Sequence, residues 1–198
     1  NEAIEYLEKG LTSLKDNDEE SHAYRYLLAE CYEHENKIKE AIHHWSKIES
    51  ENPSFRSTGV KLEAYRAILE NDNLTPFFQS SLEELQPYIT DMIAGLNYNI
   101  VSSEKKSSNE YQYRVYNIKR INDPPVLVLF NRTTREISEG QIIEFQKVIS
   151  AEKCKSGIYI STSKFSLRAK SSAASKMIDL YDSEYISKAV EKIRARKK

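Results

Sequence analysis

In the first half of this 198-residue chain the residues best suited to chemistry are Cys31 and His34, spaced as ligands on one helical turn, with His43 and His44 further on. Thiolate and imidazole at that spacing could hold a zinc ion. No carboxylate or second cysteine completes a tetrahedron, however, and a small buried cysteine with surface histidines accounts for the set as well. The second half offers cations instead: Arg114, Lys119, Arg120, Arg132, Arg135, Lys164, Arg168, Lys170 and a basic tail over 192–198, interleaved with tyrosines. Such a set can neutralise phosphates with salt-dependent affinity, or complement an acidic protein surface. No metal and no cofactor is expected.

The elements that must position these residues fall into two halves of opposite charge. The chain carries 29 basic and 30 acidic side chains, a net charge of −1. Residues 1–100 hold 9 basic and 19 acidic groups and residues 101–198 hold 20 and 11, so −10 stands against +9. That asymmetry points to two differently specialised parts. A hydrophobic content of 39% excludes a disordered tail, and no apolar run is long enough to span a bilayer. The first ten residues are too charged for a signal peptide. A chain that begins at Asn1 without a methionine leaves room upstream for an anchor, a signal or further repeats. Cys31 and Cys154, one in each half, make no disulfide framework and leave the redox compartment open.

Hydrophobic period divides the chain in the same way. From Ala3 to about Leu69 apolar residues recur at helical spacing, as in Ala3, Leu7, Leu11 and Leu14, then Leu27, Leu28, Cys31 and Tyr32. Breaks at Asp16-Asn17-Asp18, Glu35-Asn36-Lys37 and Asn52-Pro53-Ser54 suit antiparallel helix hairpins. From about Asn97 short β-branched or aromatic runs take over, at 98–101, 111–118, 126–130, 157–161 and 177–181. Asn122-Asp123-Pro124-Pro125 reads as the turn of a hairpin between strands at about 110–119 and 125–131. Residues 82–94 form an amphipathic helix ended by Gly95. Ser138 with Gln141 makes a capping box, and Ile137 with Ile142 a hydrophobic staple, opening a helix to about Lys153. Further helices are predicted to about Lys176 and from Asp182 onward. The polar, proline-terminated stretch 71–76 is the predicted linker, which gives domains 1–73 and 74–198.

Residues 22–55 resemble a tetratricopeptide repeat, with Leu28-Ala29 and Tyr32 in a first helix, Ala41 and Trp45 in a second, and Pro53 after it. Ala29 and Ala41 let the helices approach, Tyr32 and Trp45 fill the space beside them, and Pro53 stops the second helix. Trp45 therefore reads as a core residue. The sequence departs from the repeat at Arg25, where an aromatic is expected, and at Ile48, where a small residue is expected. A half repeat at 2–15 and a capping helix at about 54–70 flank the unit. The resemblance implies a groove for a peptide or partner helix, with Tyr26, Glu30, Glu33 and His34 as one stripe along it. The plainer reading is a solvated helix face.

The second half resembles the restriction-endonuclease-like fold of the Mrr family. Its carriers are Leu96-Asn97-Tyr98-Asn99-Ile100-Val101, then Gly157-Ile158-Tyr159-Ile160-Ser161-Thr162-Ser163-Lys164-Phe165-Ser166 with Ala169, and Ile178-Asp179-Leu180-Tyr181-Asp182. It covers about residues 77–195. The family's chemistry needs an Asp on the first long hairpin strand, then an acid or Gln and a Lys two residues apart on the next, to hold a divalent ion and activate water. Here Tyr113 falls on or near the Asp position, Leu129 replaces the acid and Asn131 replaces the Lys. Glu110 and Asp123 are conceivable displaced carboxylates, but one acid without its partners loses most of the apparatus. The resemblance thus implies a nuclease fold without nuclease activity, in a bacterial, cytoplasmic setting.

The expected molecule is α+β overall, with N-terminal α-helical repeat-like hairpins and a C-terminal α/β restriction-endonuclease-like sandwich. Its expected role is that of a non-catalytic adaptor or scaffold that binds another protein. The alternative is a nucleic-acid-binding protein using the basic second domain, with Arg132, Arg135, Lys164 and Arg168 on its surface. The partner and the oligomeric state stay open.

Overall fold

A computed structural model of the protein describes residues 2–15, 18–35, 37–120 and 122–196. The breaks predicted at Asp16-Asn17 and at Asn36, and the last two lysines of the basic tail, lie outside the described residues. The chain divides into two compact units, Asn1–Asn71 and Asp72–Lys198.

The first unit is made of helices α1 (Glu2–Thr12), α2 (Glu19–His34), α3 (Ile38–Glu51) and α4 (Thr58–Leu69). Helices α2 and α3 approach closely because alanines stand where they meet: Ala29 and Ala41 are both 0% exposed. Trp45 is fully buried, as expected of a core residue, and stacks on Tyr65 of α4 with ring centroids 5.6 Å apart. Ile48, at the position where the repeat pattern wants a small residue, is also fully buried. Tyr32 fastens α2 to α1 by donating to the Glu8 carboxylate. Burial and that neighbouring carboxylate push the Tyr32 phenol up to about 12. His44 lies flat on Tyr32, with centroids 5.7 Å apart, and desolvation helped by the adjacent His43 lowers its pKa to about 4.

The second unit opens at Asp72, inside the predicted linker 71–76. Arg194 donates to Asn73 Oδ1 at 2.9 Å and to the Asp72 carbonyl at 3.2 Å, which ties 72–73 to a helix near the C-terminus. Pro76 then sits in the first turn of a short helix, α5 (Thr75–Gln79), where a missing N–H costs nothing. Leu74, Phe77 and Phe78 are buried apolar anchors inside the stretch that its polar residues disguise. Helix α6 (Leu82–Gly95) starts at a capping box, Ser81 Oγ accepting from Glu84 N at 3.2 Å and Glu84 Oε2 from Ser81 N at 2.8 Å. After Gly95 the left-handed residue is Asn97, at φ 65°, a conformation asparagine tolerates.

Five strands follow, β1 (Tyr98–Lys105), β2 (Glu110–Asn117), β3 (Val126–Asn131), β4 (Ser156–Ser161) and β5 (Ile178–Tyr181), in that spatial order. The first three pair antiparallel and the last three parallel. Helices α7 (Glu139–Ala151) and α8 (Leu167–Ser175) make the two parallel crossovers, and α9 (Ser183–Arg196) closes the chain. Strand β1 runs four residues past its predicted end, because Ser102 to Lys105 lie on an exposed edge and carry no apolar signal. A bulge at Val101 shifts its register against β2. Ser138 and Gln141 form the predicted capping box of α7.

Alternation separates the two faces of the sheet. Tyr113, Val128, Phe130, Ile158 and Ile160 share the face of α5, α6 and α9, where Phe130 meets Phe77 and Tyr113 donates to Gln86. Leu127 and Tyr159 share the opposite face, in a core with Ile142, Phe145 and Ile149 of α7 and Ala169 and Ala173 of α8, with Leu129 packed against it. Gly157 allows this packing, since a Cβ there would lie 2.4 Å from Ile149 Cδ1 and 2.7 Å from Phe145 Cε1.

Candidate functional site

Helix α7 covers β3 and β4 but leaves much of β2 open, and a cleft of about 480 Å³ lies between α7 and β2. Its floor follows from strand register. Gln112 pairs with Leu129 and Leu129 with Tyr159, while Glu110 pairs with Asn131, so all five residues lie on one face. Phe145 and Val148 of α7 form an apolar wall. Asn131 is buried and its Nδ2 donates to Glu110 Oε1 at 2.6 Å. Tyr159 is held edge-on between Phe145 and Phe165, and burial, then the Glu110 charge, push its phenol far above the ordinary range, opposed by a hydrogen bond with Asn131.

This floor does not fit a divalent ion. Carboxylate oxygens are the ligands magnesium requires, and on the floor Glu110 stands with two amides, a leucine and a neutral phenol. Among the described residues no group of three His, Cys, Asp or Glu side chains could hold a metal. Asp123, the other carboxylate considered, sits in the β2–β3 turn and binds Lys155. Strand β2 separates it from Glu110 by roughly 20 Å or more at the usual rise per residue.

The register also corrects one assignment. Tyr113 faces α6, away from the cleft, and the β2 residue on the same face as Leu129 and Asn131 is Gln112. A shift of one residue along a strand moves a side chain to the other face. The signal that finds Gln112 is present in the sequence, as polar Glu110, Gln112 and Arg114 alternate with apolar Tyr111, Tyr113 and Val115. Leu129 and Asn131 both lie on the cleft face where their strand was expected to carry chemistry.

The basic residues separate into different roles. Arg132, expected on the surface, is 5% exposed. Its guanidinium donates to Asn109 Oδ1 at 3.0 Å and to the carbonyls of Phe77 at 3.2 Å, Ser80 at 2.6 Å and Ser108 at 2.8 Å. Four acceptors converging on a planar donor draw the side chain inward, so it clamps the β1–β2 turn and α5 to the end of β3. Arg114 is similarly engaged, donating to the carbonyl and carboxylate of Glu152 at the C-terminus of α7. Arg135, Lys164 and Arg168 are exposed. Arg135 and Lys164 lie on loops joined to each other, Thr133 N donating to Thr162 Oγ1 at 2.8 Å and Ile137 N to the Lys164 carbonyl at 2.9 Å. Lys164 lies 3.9 Å from Glu184.

In the helical unit the four residues of the expected stripe meet different surroundings. Tyr26 is buried, with its hydroxyl 2.9 Å from Ser57 Oγ and Arg56 over its ring. Glu33 accepts from Lys61 at 2.6 Å and from Tyr65 at 2.8 Å, and Lys61 also lies 3.6 Å from Glu30. His34 is 81% exposed. Three of the four thus face Ser57 and α4 within the unit. Cys31 is half-buried.

No curated protein sequence matches the chain. Among solved structures it is similar to the DNA modification-dependent restriction endonuclease AspBHI, at 9% identity and a TM-score of 0.36, over 68% of this chain and 36% of that one. It is also similar to the MspJI restriction endonuclease solved with a 27-mer oligonucleotide, at 14% identity and a TM-score of 0.41, over 70% of this chain and 32% of that one. The chain therefore spans about a third of either enzyme. Residues 85–186, which include every strand of the sheet and all of the cleft's floor, match the model of a single family. That match takes in just over half of the sequence, and the chain belongs to the family described as NACHT-associated inactive Restriction Endonuclease 1.

Proposed function

We propose that this protein is a non-catalytic adaptor, in which a tetratricopeptide-like helical unit and an inactive nuclease-fold unit bind other proteins. The observation that carries the reading is the cleft floor. Where a metal-dependent nuclease needs converging carboxylates and a lysine, Glu110 is bonded to Asn131 and flanked by Gln112 and Leu129. The family's description as inactive agrees with that loss, and its NACHT association supports a protein partner that carries a NACHT module. Ala29, Ala41 and Trp45, fully buried in the α2–α3 pair, support the repeat-like reading of the first unit, and His34 is the exposed member of its partner-binding stripe. The test is co-purification of the chain with a NACHT-bearing protein. A stable stoichiometric complex is expected, and two species migrating independently at micromolar concentration would remove the reading.

A second reading rests on Arg135, Lys164 and Arg168, exposed on the joined loops and on the first turn of α8. If these cations meet phosphates, duplex DNA binds with an affinity that falls steeply with salt, and the triple substitution to alanine removes about three units from that salt slope. Failure to bind a labelled duplex at low ionic strength would eliminate it.

A further inference from the structure

The charged residues lining the cleft do not have equivalent partners. Lys106 pairs with Glu104 at 2.6 Å and Glu144 with Lys147 at 2.7 Å, so these charges are matched within the chain. Glu110 has a neutral amide as its partner, Asn131, and makes no ion pair among the described residues, the Lys106 of the same cleft being paired with Glu104. Two residues along the same strand, Gln112 is 8% exposed and lines the cleft, yet its side-chain amide makes no hydrogen bond among the described residues. Its amide atoms are open to the cleft, so their hydrogen bonds are completed there by water or by a guest. Leu129, Phe145 and Val148 give the space above these two groups apolar walls.

A negative carboxylate and a waiting amide at the base of an apolar cleft select a particular chemistry. Phosphate is repelled by Glu110, and a fully apolar guest leaves both polar groups unsatisfied. A guanidinium satisfies both: two N–H groups reach the carboxylate, another reaches Gln112 Oε1, and the planar cation with its methylene stem lies along the apolar wall. The cleft volume of about 480 Å³ is in the range of sites that hold a side chain or a small ligand.

We propose that the cleft, formed where a nuclease would hold its scissile phosphate, is a socket for a guanidinium group, namely an arginine side chain presented by a protein partner. This rests on the adaptor reading for the source of the arginine, but not for the site itself.

The experiment is NMR titration of the full chain with N-acetyl-arginine amide and with benzamidine, a rigid planar amidinium, beside N-acetyl-citrulline amide and benzamide as neutral counterparts. Saturable shifts are expected at Glu110, Gln112, Leu129 and Val148 for the two cations, with at least tenfold weaker binding for the neutral pair. Glu110→Gln preserves shape and the bond from Asn131, and should weaken cation binding at least tenfold. Val148→Lys, at a partly exposed position of the cleft wall, brings an ammonium into the cleft and should abolish cation binding with the fold intact. Equal binding of citrulline and arginine compounds, or cation binding unaffected by both variants, overturns the socket. Cation binding that both variants remove, with no partner captured by the wild-type chain, retains the socket and removes the adaptor reading. A partner captured equally by wild type and Val148→Lys overturns the arginine source while leaving the adaptor reading in place.

Discussion

Arg132 donates to four acceptors on separate segments around the end of β3, so removing its side chain takes a donor from the buried carbonyl of Phe77 and the partly buried carbonyls of Ser80 and Ser108 together. Arg132→Ala is expected to lower the unfolding free energy by roughly 2–4 kcal/mol in denaturant titrations. Arg132→Lys should recover little of it, because an ammonium cannot reproduce the planar fork. In the first unit His44 gives a pH dependence of defined sign. Its pKa lies at about 4 in the folded chain against 6.5 for an ordinary histidine. Above 6.5 the ring is neutral whether the chain is folded or unfolded. Between 6.5 and 4 the unfolded chain binds the proton that the folded ring refuses, so stability falls as pH falls through that window. The loss should be on the order of 1–2 kcal/mol for a ring that is partly open to solvent, and thermal melts of His44→Gln should show it flattened. The histidine's residue type was visible in the sequence. Its stacking on Tyr32 depends on how α3 packs on α2. Arg132 was likewise visible as a charge, but the convergence of four acceptors upon it is a product of the fold.

At the scale of elements, Gly157 sets the distance between β4 and α7. Gly157→Ala drives a methyl into Ile149 and Phe145, side chains fixed in the core of that face, and is expected to cost about 1–3 kcal/mol. The same variant should lower the melting temperature and move amide resonances along α7, since the helix is what can yield. Helices and central strands were legible because their periods are strong: β3 and β4 are nearly continuous apolar runs, and α6 and α7 begin with capping boxes. The outer half of β1 was not legible, since an exposed edge strand takes polar residues that resemble a loop. Helix α5 was hidden in the predicted linker for the opposite reason, as Leu74, Phe77 and Phe78 are buried between residues that read as turn. The site was half legible. Leu129 and Asn131 share the cleft face of β3, and the β2 position expected on or near Tyr113 falls by register on its neighbour Gln112, since side chains alternate between faces.

For the whole molecule, the near-neutral total conceals an acidic half, at −10, and a basic half, at +9. The acidic half is mostly the helical unit. The basic half overlaps a domain of a family described as inactive, in which Arg132 and Arg114 are engaged in internal hydrogen bonds. Positive charge alone is thus a poor guide to the residues available for a partner. The central claim of the proposed function is that a cleft floor with Glu110 bonded to Asn131 beside Gln112 and Leu129 does not support strand cleavage. Incubating supercoiled plasmid with the full chain and manganese, beside Glu110→Gln, tests that claim most directly. The predicted result is plasmid indistinguishable from the buffer control in both samples. Nicking or linearisation by the wild-type chain that Glu110→Gln abolishes would contradict it.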